Sequence, residues 1–304
     1  MKNRIERMNE FLNYHIYGDG ECNTKVLKVW ADRHCNTLQD IYELCYFFSI
    51  TYCVFSAIIM YLNKKSFFDD CESFSDEYRD KLIFQSDRKY IKMKDSFKKA
   101  NMCFVHNNRD VNLFLDKVSR NGKIVIKDAV EEVYQWDLFG RFSAFLFLEA
   151  FIGVSGIGYE NYTIDWKNGD TATSGLLNLY CFDEYANEFD RSGKLLLKKN
   201  FLDKLFENVI VEVKGSGGSE SVLELETSLC AYRKFYKGSR YNGYYLDRML
   251  EEMYFYKNNF NDIFCELIEI RKDLFDVKYL GEVSGWNCIR RELKKWYLKH
   301  GKIF

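Results

Sequence analysis

The stretch "QWDLFGRFSAFLFLEAF", residues 135–151, is one of the most apolar runs of the chain, yet it holds Arg141 and Glu149. Read as a helix over 142–151, it puts Glu149 on one face with Phe142, Phe145 and Leu146, which stand seven, four and three positions back. A carboxylate on an apolar face needs a partner or a task, and Glu149 is therefore a candidate functional residue.

Helical spacing recurs elsewhere. Leu38, Ile41, Leu44/Cys45 and Phe48 form one face of a helix expected over about 37–62, and the segment 109–120 has the length and pattern of a short helix. Asn121-Gly122 signals a turn, after which "KDAVEEVYQW" returns to helical spacing and 123–126 stays undecided between strand and helix. "KKNFLDKLFENVIVEV" reads as a helix that ends in an extended piece, and 226–256 as helix, basic turn and second helix from about Asn242. Glycines at 153, 156, 158, 169 and 175 predict a loop system directly after the helix that carries Glu149. Together these make a mainly α chain. "KGSGGSES", 214–221, is the best place for a flexible break, but the segments on either side look too small to stand alone, so one domain over 1–304 is expected.

The 304 residues are 47% apolar and 17% aromatic, which suffices for a packed core. No apolar run reaches the roughly 20 residues that cross a bilayer, and the opening "MKNRIERMNEFLNYHIYGDGE" is too charged for a secretory signal, so no membrane partner and a cytoplasmic location are expected. The ten cysteines include no CxxC pair and the four histidines lie far apart, which argues against a zinc site and leaves no metal or cofactor indicated. The absence of proline, with plentiful Lys, Asn, Phe, Ile and Tyr, reflects an AT-rich coding origin rather than a mechanical need.

A net charge of -1 gives no global nucleic-acid signal. Locally, "AYRKFYKGSRY", 231–241, carries Arg233, Lys234, Lys237 and Arg240 among four aromatics with no acid, and a basic helix is expected at about 285–304. Cations interleaved with aromatics suit a phosphate backbone and stacked bases; a solvated helix face with snorkelling lysines is the plainer alternative. There is no GxSxG elbow and no GxxxxGK[ST] loop. What remains is a set of carboxylates (Glu149, Asp165, Asp170, Asp247), arginines (Arg141, Arg233, Arg240, Arg248) and tyrosines. That set suits an anion held by arginine forks with a buried carboxylate as acid or base, and equally a buried ion-pair network.

"WDLFGRFSAFLFLEAF", "TIDWKNGDTATSGL" and "ETSLCAYRKFYKGSRYNGYYLDRMLEE" together resemble the alpha-glutamyl/putrescinyl thymine pyrophosphorylase family of bacteriophages, the amino acid:DNA transferases, over roughly residues 28–256. The resemblance implies a mainly α, helix-hairpin-helix DNA glycosylase-like single domain. It also implies a reaction on double-stranded phage DNA in which the pyrophosphate on 5-hydroxymethyluracil is displaced by a free amino acid or polyamine, leaving a hypermodified thymine. On that expectation Arg233, Lys234 and Arg240, then Arg141 or Arg248, meet the leaving pyrophosphate. Glu149, or alternatively Asp247, takes the proton of the amine, and Trp166, Tyr232, Tyr241 or Tyr244 stacks on a flipped base. The alternatives are a helical DNA glycosylase or lyase and a non-enzymatic DNA-binding protein.

Overall fold

The computed structural model describes residues 3–17, 22–160, 164, 166, 170–183, 199–237 and 243–275. It is mainly helical. In chain order the helices are α1 (Arg4–Tyr17), α2 (Cys22–His34), α3 (Leu38–Thr51), α4 (Val54–Leu62), α5 (Lys64–Asp69), α6 (Cys71–Tyr78), α7 (Lys94–Cys103), α8 (Val111–Val118), α9 (Ile126–Val133), α10 (Arg141–Ser155), α11 (Asp170–Leu179), α12 (Lys199–Gly215), α13 (Val222–Tyr236), α14 (Tyr244–Tyr256) and α15 (Asn261–Leu274). A 3-10 stretch spans Ser86–Lys92, a π-helical turn spans Phe104–Asn108, and β1 (Ser119–Arg120) pairs antiparallel with β2 (Lys123–Ile124). No described helix is long and apolar enough to cross a membrane.

The chain divides into two compact units, each assembled from separated segments. Unit 1 takes residues 1–22, 163–248 and 272–304; unit 2 takes 23–162 and 249–271. The Gly/Ser stretch 214–221 lies inside unit 1, joining α12 to α13, and the basic segment 285–304 lies outside the described residues.

In unit 2, α10 and α4 both pack on α3. Its core is aromatic: Tyr46 stacks on Phe104 with ring centroids 3.7 Å apart, and Trp136 meets Phe147 edge-on at 4.9 Å. The expected helix over 37–62 is two helices. Thr37 and Asp40 form a capping box at its start, but Tyr52 turns left-handed (φ 52) and the Thr51 carbonyl accepts from Gln85 N–H at 3.0 Å instead of continuing the helix. Asp110 caps α8 by accepting from the amides of Asn112 and Leu113. Residues 123–126 resolve into the return strand of a hairpin and the start of α9. Asn121 (φ 50) and Gly122 (φ 74) both take the positive φ that a two-residue turn of this kind requires.

In unit 1, α11 packs tightly against α13, and α1 packs on both. Two sequence expectations are corrected here and in unit 2. The segment after Glu149 is less of a loop than its glycines imply, because Gly153 lies within α10 and Gly175 within α11; each is small for packing, Gly153 beneath the Thr24 methyl and Gly175 against the Leu229 backbone. Helix α12 runs through Val209, Val211 and Val213 to Gly215 with no extended end, since burial of Leu202, Phe206, Val209 and Val213 along one face outweighs the β preference of valine.

Candidate functional site

Residues 231–237, the described part of the basic, aromatic run singled out in the sequence, form the end and C-cap of α13 in unit 1. Ser221 caps the start of that helix, and Arg233 and Lys234 occupy its last turn, where cations complement the negative end of the helix. Arg233 also reaches away from its own helix: its Nη1 donates to Thr171 Oγ1 at 3.5 Å, in the first turn of α11. The first-turn amides of a helix have no intrahelical acceptor and carry its positive end, so Arg233 adds a cation at a place already favourable to anions. Lys237, at the C-cap of α13, has its pKa lowered by partial burial and by the charge of Arg233. Two cations held close enough to disfavour each other make a position that an anion stabilises.

Tyr244, Asp247 and Arg248 lie at the start of α14, in the same unit. Asp247 is fully buried and stands in the first helical turn, where the helix end favours a carboxylate; its own N–H bonds the Gly243 carbonyl at 3.0 Å. Tyr244 and Arg248 are half-buried, and the Tyr244 ring meets that of Tyr245 edge-on at 5.5 Å. Arg240, Tyr241 and Asp165 lie outside the described residues, as does the side chain of Asp170.

Two of the residues expected to stack on a base are core residues. Tyr232 is completely buried, edge-on to Phe11 at 5.6 Å, and burial pushes its phenol pKa up. Trp166 is 3% exposed; its Nε1 donates to Asp203 at 2.8 Å and its ring packs against Phe206. Neither ring offers an open face, so in this conformation of unit 1 both act in packing.

Arg141 and Glu149 belong to unit 2, both on α10. Eight residues of helix separate their Cα atoms by about 12 Å along the axis, so the two stand about two turns apart. Arg141 begins the helix with its guanidinium 5.6 Å from the Phe145 ring centre, while Glu149 is buried two turns on. Of the residues expected to form one site, then, Glu149 and Arg141 are in one unit and Asp247, Arg233, Lys234, Arg248, Tyr232, Tyr244 and Trp166 in the other.

The sequence reading missed a buried polar network among the described residues of unit 1. Arg7, 1% exposed, donates to the Asn178 carbonyl at 2.5 Å and forks onto both oxygens of Asp183 at 2.7 and 2.9 Å, while its guanidinium lies 4.6 Å above the Tyr236 ring. The hydroxyl of Tyr236 donates to the same Asp183 carboxylate at 3.2 Å. Its signal was available: Arg7 shares a face with the apolar Phe11 and Tyr14, three to four residues apart, as Glu149 does with its neighbours. Unit 2 holds a comparable buried acid, Glu43, which accepts from Arg109 Nε and Lys64 at 3.0 Å each. These are structural networks with their partners in place.

Among the described residues no group of three His, Cys, Asp or Glu is arranged to hold a metal ion. No family model, no curated protein and no solved structure matches the chain.

Proposed function

We propose that the chain is a DNA base-modifying transferase of the kind its sequence resembles, displacing pyrophosphate from 5-hydroxymethyluracil diphosphate in DNA with an amine. The observation that carries this reading is the meeting of Arg233 with Thr171 in the first turn of α11, next to a Lys237 ammonium that Arg233 disfavours. A leaving pyrophosphate is the ligand such a place stabilises most as its charge develops.

In the reaction the amine nitrogen forms a bond to the methylene carbon on C5 of the pyrimidine. The carbon–oxygen bond to pyrophosphate breaks, and pyrophosphate departs with that electron pair. The nitrogen gives up a proton to a carboxylate. Asp247, in the same compact unit as the cations, is one candidate for that carboxylate, and Glu149, buried on α10, is the other. Arg233 and Lys234 belong to the pyrophosphate site, with Arg240 and Arg248 flanking it in sequence. Tyr244, half-buried at the start of α14, is the described aromatic best suited to meet an extruded base.

The finer fold assignment, a helix-hairpin-helix DNA glycosylase-like domain, is part of the same proposal. Its support is the mainly helical architecture alone, an analogy at the level of fold. A helical glycosylase on modified bases is the second reading, because it shares base extrusion and a buried carboxylate but needs no pyrophosphate site. Incubating the protein with pyrophosphorylated hydroxymethyluracil DNA and a mixture of amino acids and polyamines separates the two: transfer gives an amino-substituted thymidine and free pyrophosphate, glycosylase action gives a free base.

A further inference from the structure

The Asn121-Gly122 turn of unit 2 lies outside the chemistry of Arg233 and Asp247. It joins the strands β1 and β2, with Arg120 paired to Lys123 and Ser119 to Ile124 across it. Asn121 and Gly122 are both exposed, and their φ values of 50° and 74° are those of a type I′ turn. Apart from its chain neighbours, nothing lies within 4 Å of the place a Gly122 Cβ would occupy, so no packed side chain shields the Gly122 nitrogen. That nitrogen follows an asparagine, and the pair is chemically reactive. The Gly122 nitrogen gives up its proton and bonds to Asn121 Cγ, closing a five-membered ring, a step that glycine hinders least because it has no Cβ. The bond from Cγ to the side-chain nitrogen breaks, and ammonia leaves with that electron pair and the proton. Water then adds to one of the two carbonyls of the succinimide and opens it. One opening gives aspartate; the other gives isoaspartate, whose main chain runs through the side-chain carbon and is one methylene longer.

The fold controls the first step. A type I′ turn sets ψ at its first central residue to about +30°, which turns the Gly122 nitrogen toward the Asn121 amide nitrogen and away from the Asn121 Cβ. Ring closure needs the opposite arrangement, so that peptide must rotate and the turn must open. Opening is resisted by both rungs of the hairpin and by Val125 N–H, which donates to the Val118 carbonyl at 2.8 Å. It is resisted further by Ile124, a fully buried residue whose N–H donates to the Gly158 carbonyl and whose carbonyl accepts from Glu160 N–H, both at 2.9 Å. The exposed end of so short a hairpin opens at far less cost than the whole unit unfolds.

We propose that Asn121 is a deamidation site gated by the β1–β2 hairpin, protected while the turn is closed and converted through the succinimide when it opens. The two products differ in structure. Asp-Gly suits a type I′ turn as Asn-Gly does, so aspartate keeps the hairpin and places a carboxylate between Arg120 and Lys123. Isoaspartate lengthens the turn by a methylene, so both rungs no longer close and β2 loosens from residues 158–160, in the chain that follows α10.

The test incubates the full-length protein at neutral and mildly alkaline pH, both native and unfolded in urea, and follows aspartate and isoaspartate at position 121 by peptide mass spectrometry. The expected result is conversion at Asn121 in the native protein, with a rate that rises with hydroxide and lies roughly tenfold or more below that of the unfolded chain. Asn121→Gly keeps the turn, since Gly-Gly also adopts it, but has no side-chain amide and should give neither product at this position. Hydrogen exchange at the Ile124 and Glu160 amides should quicken in the isoaspartate fraction and stay at the native rate in the aspartate fraction. A native protein that keeps Asn121 intact while the unfolded chain converts overturns the site. Equal rates in the native and unfolded states overturn the gate, and unchanged exchange in the isoaspartate form overturns the coupling to residues 158–160.

Discussion

Gly175 on α11 lies directly on the backbone of Leu229 on α13, so close that a Cβ added to it would come 2.1 Å from the Leu229 carbonyl oxygen. Backbone cannot step aside as a side-chain tip does. Gly175→Ala therefore forces the two helices apart and is expected to destabilise unit 1 by about 3 kcal/mol, at the upper end of ordinary overpacking. Because the Arg233–Thr171 contact bridges the same two helices, the variant should also weaken pyrophosphate binding. A melting curve and a pyrophosphate titration indistinguishable from wild type would contradict this account of the helix pair.

Arg7 and Asp183 close unit 1 at the ends of α11 and α13. Removing the guanidinium leaves the buried Asn178 carbonyl and one side of the carboxylate without their donors. Arg7→Ala should cost about 3 kcal/mol, near the low end for breaking a buried pair because Asp183 is 34% exposed. Arg7→Lys should recover little, since an ammonium cannot reproduce the planar fork. Chemical denaturation of the three proteins decides it, and a fully rescued lysine variant would contradict the geometric reading.

Asp40 sets an acid limit on unit 2. Partial burial works against its ionisation, but hydrogen bonds from Lys64 and Thr37 more than offset it and bring its pKa from 3.8 down to about 2. A carboxylate with a depressed folded-state pKa contributes stability above its unfolded value and loses it as pH falls toward the folded one. Stability should accordingly decline between about pH 4 and pH 2, and Lys64→Met should flatten that slope. An unchanged slope in the variant would show that other groups govern the acid transition.

The two buried carboxylates have opposite expectations. If Asp247 takes the amine proton, Asp247→Asn lowers the transfer rate by roughly 10²–10⁴ while pyrophosphate binding persists, and Glu149→Gln leaves the rate near wild type. Thermal melts of both variants show whether either loss is merely unfolding. The reverse pattern returns the role to Glu149.

Helical content was legible because burial imposes a 3.6-residue repeat on apolar side chains, and α10, α8 and the Asn121-Gly122 hairpin lie where that repeat and the turn residues indicate. The break at Tyr52 was not legible, because it depends on Gln85, more than thirty residues away, taking the Thr51 carbonyl. The glycines at 153 and 175 misled for a similar reason: flexibility and close packing call for the same residue, and only the neighbouring helix tells them apart. Candidate residues were chosen by chemistry alone, which could not foresee that Tyr232 and Trp166 are enclosed by the packing of unit 1. Arg7 escaped notice because a single arginine on an amphipathic helix looks like an ordinary surface charge until its partner, 176 residues later, is placed.

The central claim is pyrophosphate displacement centred on Arg233. Its most direct test is to incubate wild-type protein and Arg233→Ala with pyrophosphorylated hydroxymethyluracil DNA and an amine mixture, then measure nucleosides by mass spectrometry and released pyrophosphate together. The account predicts an amino-substituted thymidine and equimolar pyrophosphate from the wild type, with both falling at least a hundredfold in the variant while its helical spectrum is retained. Unaltered nucleosides with wild-type protein, or a variant as active as wild type, would contradict it.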